Sequence, residues 1–184
     1  MRDISLHILD IAENSLRAKA SLIQVGILLD EGADTLTVII EDNGCGMSSE
    51  MVERVKSPFT TTRTTRNVGL GIPLFAAGCE NTGGSLAIES EPGVGTKLTA
   101  VYRNSHIDRP PLGDVAQTVC TLVMANPDID FAFTAQKSEV RFEFDTHEIK
   151  KTLGGVSITQ PEVVQFISEY LSEGLEQVFG GEEQ

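Results

Sequence analysis

The chain has 184 residues, 40% of them hydrophobic and 22% charged, with a formal net charge of −13. That length supports one good core, or one core with a small appendage. The acidic balance argues against a general DNA or RNA binder, because phosphate contacts need a positive surface, and it suits a soluble protein or a basic protein partner. No stretch approaches the roughly 20 apolar residues of a membrane span. Met1-Arg2-Asp3-Ile4 lacks the basic-then-apolar pattern of a signal peptide. Cys45, Cys79 and Cys120 are far apart and form no ligand set with His7, His106 or His147. Reduced thiols, read mainly as small buried hydrophobes, and a cytoplasmic location are the expectation.

In chain order, Ile4, Ile8, Ile11, Ala12, Ser15 and Leu16 give the three-to-four spacing of a buried stripe, which predicts a helix over about 3–18. Two strands follow, 23–30 and 35–41, joined by Glu31-Gly32-Ala33-Asp34. Ser48-Ser49-Glu50 reads as the start of a short helix. Residues 57–71 are rich in Thr, Arg and Gly and read as a loop. Pro73 suits the first turn of a helix over about 72–81, where a missing N–H costs nothing. Strands at 85–91 and 96–103 flank Pro92-Gly93-Val94-Gly95. The sequence changes character at Arg109-Pro110-Pro111. Beyond it a helix (112–125), a hairpin (130–135 and 139–145), a short helix and a last helix from Pro161 are predicted. The stripe of that last helix (Val164, Ile167, Leu171, Leu175, Val178) is interrupted by Gly174.

The chemistry-bearing residues lie in the first half. Asp10 and Asn14 are four apart on a helix and share a face. An Asn oxygen suits Mg²⁺, which takes oxygen ligands, and a carboxylate one turn away can accept a proton from water. A solvated polar helix face would look the same. Asp42 ends a strand and opens Asn43-Gly44-Cys45-Gly46-Met47. A carboxylate there can accept from an exocyclic amino group, with a flat base lying on the glycines. A simple turn after a strand is the alternative. Arg54, Lys56, Arg63 and Arg66 are four of the chain's 14 basic residues, with no acidic residue between them. Gly69-Leu70-Gly71 then opens a helix, whose N-terminal N–H groups favour anions.

In this order the motifs resemble the ATPase superfamily of DNA gyrase B, heat-shock chaperones, histidine kinases and MutL. Asp10-Ile-Ala-Glu-Asn14-Ser-Leu-Arg-Ala is similar to its asparagine box, closest to the MutL wording. Asp42-Asn-Gly-Cys-Gly-Met47 is similar to its first glycine box. Ser57-Pro-Phe59-Thr-Thr-Thr and Gly69-Leu-Gly-Ile72-Pro-Leu resemble the phenylalanine box and second glycine box of bacterial histidine kinases. Gly93-Val-Gly95-Thr96 resembles the last box. The resemblance covers roughly residues 1–103 and implies an α/β two-layer sandwich, the Bergerat fold, with a mixed, mostly antiparallel sheet and helices on one face.

The resemblance also implies ATP and Mg²⁺ as cofactors. Asn14 would bind the metal, Asp42 the adenine amino group, and Thr96 would support Asp42. Gly44 and Gly46 would line the base, with Met47 beside them. Gly69, Leu70 and Gly71 would serve the phosphates. Residues 57–71 would form a lid, with Phe59, Thr61, Arg63 and Arg66 among its nucleotide contacts. Asp10 would be the catalytic carboxylate. It stands where hydrolysing members carry Glu, and a misplacement on the order of 1 Å can cost about 100-fold in rate. Arg17 replaces the Asp of the MutL phrase. His7 reads as a pocket-edge or packing residue. Residues 104–184 are expected to form a separate acidic α+β extension, a transducer or partner-binding region with a short echo of MutL's second domain. Three functions follow from the resemblance: a stand-alone kinase or signalling component acting on a protein partner, a MutL-like switch that hydrolyses slowly and dimerises on ATP, or a non-catalytic nucleotide-binding module.

Overall fold

The computed structural model describes residues 3–56 and 70–180. Helix α1 (Ile4–Arg17) begins where Asp3 accepts the Leu6 N–H at 3.0 Å, an N-cap that satisfies one of the free donors of the first turn. Its stripe of Ile4, Ile8, Ile11 and Ala12 is buried, as the periodicity predicts. Strands β1 (Leu22–Asp30) and β2 (Thr35–Asp42) follow, then α2 (Ser49–Lys56), α3 (Gly71–Asn81), β3 (Ser85–Glu91) and β4 (Gly95–Arg103). The second half adds α4 (Val115–Ala125), β5 (Asp130–Lys137), β6 (Val140–Asp145), α5 (Thr146–Leu153) and α6 (Pro161–Phe179).

The six strands form one sheet in the order β3-β4-β2-β1-β5-β6. All pairings are antiparallel except β1 with β5, which run parallel. Alternate residues turn to one face: Ile23, Val25, Ile27 and Leu29 from β1, Leu36, Val38 and Ile40 from β2, Phe131, Phe133 and Ala135 from β5. Helices α1, α3, α4 and α6 cover that face, while Gln24 and Leu28 lie exposed on the other. This is the α/β two-layer sandwich with a mixed, mostly antiparallel sheet.

The expected boundary near residue 103 crosses a continuous sheet and a continuous core. Strand β5 pairs with β1 along its whole length, from Leu22 opposite Asp130 to Leu29 opposite Lys137. Val119, Leu122, Phe133 and Leu171 belong to the same buried cluster as Ile8 and Val38. The segment after β4 is tied down as well. The Pro111 and Leu112 carbonyls accept the Ile4 and Ser5 N–H groups at 2.9 Å each, so the chain after β4 caps the start of α1. For that reason α4 starts at Val115, three residues later than predicted, with Asp114 as its N-cap. Gly174 interrupts the α6 stripe because a Cβ there would come within 2.3 Å of the Phe142 ring of β6.

Candidate functional site

Asp42 is the last residue of β2, and its carboxylate is held from two sides. Ser15 of α1 donates to Oδ2 at 2.6 Å, and the Gly44 N–H donates to Oδ1 at 2.8 Å. Each carboxylate oxygen has two acceptor sites, so both retain capacity for a further donor. Asn43 locks the turn that follows. Its Oδ1 accepts the Ser21 and Leu22 N–H groups at 2.8 and 2.9 Å, and its amide donates to Ser21 Oγ.

The glycines here are steric necessities. Gly46 has φ +62°, and a Cβ there would lie 1.9 Å from the Glu91 carbonyl oxygen. A Cβ at Gly44 would lie 2.8 Å from the Ala18 carbonyl oxygen. Backbone therefore packs on backbone, which lets the turn close tightly beside Asp42. Cys45 differs from the buried thiol expected of it. Its N–H donates to Ala18 and its carbonyl accepts from Gly93, and the side chain is left facing solvent. Cys79 and Cys120 are buried, and burial pushes the Cys79 thiol up to about 11.

Thr96 of β4 lies directly opposite Asp42 in the β2–β4 register. Its hydroxyl is 2.9 Å from Ser90 Oγ. Ser90 also reaches the Gly95 carbonyl at 2.8 Å and accepts the Met47 N–H at 2.8 Å. Thr96 and Met47 thus meet at one serine of β3, while the Asp42 carboxylate takes its donors from Ser15 and Gly44.

Asp10 and Asn14 lie on α1, one turn apart. Asp10 Oδ2 is buried and has no hydrogen-bond partner among the described residues. It sits against the first residue of α3, so close that a Cβ on Gly71 would fall 1.4 Å from it. Asn14 is partly exposed, and its Oδ1 accepts from Arg17 at 3.1 Å. Arg17 also pairs with Glu13 at 3.0 Å on the surface. Leu70 precedes α3 and is 68% exposed. Phe59, Thr61, Arg63, Arg66 and Gly69 lie outside the described residues.

The histidine kinase-, DNA gyrase B- and HSP90-like ATPase family matches residues 2–105. The chain belongs to that family. Sensor protein kinase FleS of Pseudomonas aeruginosa is 34% identical over 94 residues, 51% of this chain and 23% of that protein. A putative sensor protein of Shewanella frigidimarina is 27% identical over 97 residues, 52% of this chain and 15% of that protein. The chain thus spans less than a quarter of the length of these relatives. Among solved structures, the N-terminal domain of a DNA repair protein matches 98% of this chain and 58% of its own at 13% identity, with a TM-score of 0.55. That likeness shows the fold, and it extends over both halves of the chain.

Within this ATPase domain, sequence reasoning missed Ser15, Asn43 and Ser90. Ser15 belongs to the buried stripe, and nothing in its spacing shows that its hydroxyl turns toward a strand end 27 positions later. Ser90 lies in an ordinary alternating strand, and only the β3–β4 register, which sets it opposite Thr96, reveals it. His7, one turn before Asp10, is 3% exposed and stacks on Phe75 with ring centroids 4.5 Å apart. Burial lowers it to about 4, so it is neutral at pH 7.

Proposed function

We propose that the chain binds Mg-ATP at this site and acts as a stand-alone kinase or signalling component on a protein partner. The observation that carries the reading is the Asp42 carboxylate, fixed by Ser15 and Gly44 at the start of a glycine-containing turn. Asp42 accepts the adenine amino group. Gly44 and Gly46 let the flat base approach the backbone, and Met47 flanks it. Thr96, opposite Asp42 in the sheet, steadies the strand pair beside it, and its hydroxyl meets Ser90 rather than the Asp42 carboxylate. Leu70 and Gly71 start α3, whose free N–H groups face the phosphates. Phe59, Thr61, Arg63, Arg66 and Gly69 complete the lid side of the site in this reading.

The donor set fits a magnesium ion. Such ions in nucleotide sites take one or two protein oxygens and complete their shell with phosphate and water. Asn14 Oδ1 would hold it, and releasing the exposed Arg17 costs little. When bound, the ion neutralises charge on the phosphate oxygens. Asp10 does the proton work: its buried oxygen, unpartnered among the described residues, is a ready acceptor for the proton of an attacking hydroxyl or water.

That same oxygen favours a second reading, a slow ATP-driven switch that dimerises on nucleotide, because a free acceptor suits water as well as a partner's hydroxyl. The test is the fate of γ-labelled ATP with the wild-type chain and the Asn14→Ala variant. Bound ATP with no phosphate release until a phosphoacceptor protein is added supports the kinase. Free phosphate, lost in Asn14→Ala, supports the switch. Absence of ATP binding by both chains refutes both readings.

A further inference from the structure

A second surface lies away from the nucleotide site, at the β6 edge of the sheet. Residues of α5, α6 and β6 line a groove there of about 670 Å³. Its floor is apolar: Phe144, Ile149, Leu153, Val163, Phe166 and Tyr170. Two of these aromatics remain largely uncovered, Phe166 at 55% and Tyr170 at 40% exposure. They are not loosely held. Their rings stack with centroids 5.8 Å apart and planes within 10°, and Tyr170 donates to the Glu143 carbonyl of β6 at 3.3 Å. Pre-ordered aromatics at the centre of a patch are the usual anchors of a protein interface.

The rim is of one sign. Glu143, Asp145, Glu148 and Glu162 line the groove, and no basic side chain among the described residues lines it. Arg141 at the outer edge is paired with Glu143. Lys150 on α5 turns away to Asp130 at 2.8 Å. A second copy of this chain would bring the same acidic rim and a net charge of −13 against it. Charge complementarity therefore selects a basic occupant. A trough between two helices with an apolar floor takes the apolar stripe of a helix, read as i, i+3/i+4 and i+7 anchors.

We propose that this groove is the docking site for a cationic amphipathic helix of a partner protein. The inference deepens the partner half of the function proposed above and does not require nucleotide. Its test is run without ATP, so that failure here leaves the nucleotide reading standing.

The probe is a fluorescein-labelled helical peptide of Leu and Lys with one apolar stripe, titrated with the full chain and followed by anisotropy. A control peptide carries Glu in place of every Lys. Phe166→Ser tests the floor and Glu148→Lys/Glu162→Lys the rim, each checked by thermal unfolding so that peptide binding is compared between folded chains. The Lys peptide is expected to bind at micromolar concentration, at least about tenfold more weakly to either variant, and more weakly in high salt. The Glu peptide is not expected to bind. Equal binding of both peptides overturns the proposal, as does no saturable binding up to about 100 μM. An affinity unchanged in Phe166→Ser reduces the contact to unspecific attraction to an acidic protein. A wild-type dimer in sedimentation that Phe166→Ser dissolves assigns the groove to a second copy instead.

Discussion

Removing one hydroxyl tests the way Asp42 is held. Ser15→Ala deletes the 2.6 Å bond to Asp42 Oδ2 and leaves, among the described residues, the Gly44 N–H as the carboxylate's donor. A hydrogen bond to a charged group contributes about 1.5–3 kcal/mol. At about 1.36 kcal/mol per decade, full expression in binding would weaken ATP roughly 10- to 150-fold. Asp42 is only partly buried, so water reclaims part of the loss, and the expected change in Kd is about tenfold. Ser15 itself is 2% exposed on α1, and alanine is the better helix former, so the melting temperature should move little. The assay is calorimetric titration of ATP into wild type, Ser15→Ala, Asp42→Asn and the double variant. Because the two residues touch, their effects should not add, and Ser15→Ala should cost almost nothing once Asp42 is Asn. A Kd for Ser15→Ala within about twofold of wild type, with Asp42→Asn strongly weakened, would refute this account of how the base acceptor is oriented.

The remaining predictions concern three other places. Gly71→Ala puts a methyl 1.4 Å from Asp10 Oδ2 and must push the carboxylate aside by more than 1 Å; turnover of saturating ATP, or transfer to the phosphoacceptor, should fall on the order of 100-fold. A rate within threefold of wild type would remove Asp10 from the chemistry. His7 should make the fold acid-sensitive: its value near 4 lies below the ordinary 6.5, so its contribution is intact above pH 6.5 and is lost as pH falls toward 4. Urea unfolding of wild type against His7→Phe should show that part of the slope vanishing in the variant; parallel pH profiles would refute it. Truncation after residue 108 should leave no cooperative unfolding transition, because β1 loses its partner β5 and α1 loses the carbonyls of Pro111 and Leu112. A sharp melt of that fragment would show that the first half folds alone.

Local chemistry made much of this protein legible. The α1 stripe, the alternating strands, the capping residues and the glycine turns all follow from spacing and side-chain type, and the strand and helix limits seen lie close to those expected. The order of the motifs pointed to the ATPase family that matches residues 2–105. Pairing across long sequence distance was not legible. The hairpin 130–145 shows its own antiparallel contact in the sequence, but its alternating apolar residues would suit any open edge. Its place in parallel beside β1 is decided by the shared burial of α1, α4 and the strands, which no local window contains. The same holds within the site. Residue types nominate Asp10, Asn14 and Asp42, because carboxylates and amides carry that chemistry at those spacings, and the family resemblance adds Thr96. That Ser15 orients Asp42, that Ser90 joins Thr96 to Met47, and that the Asp10 oxygen lies over Gly71 depend on helix and sheet packing at ångström precision, and only the tertiary structure decided them.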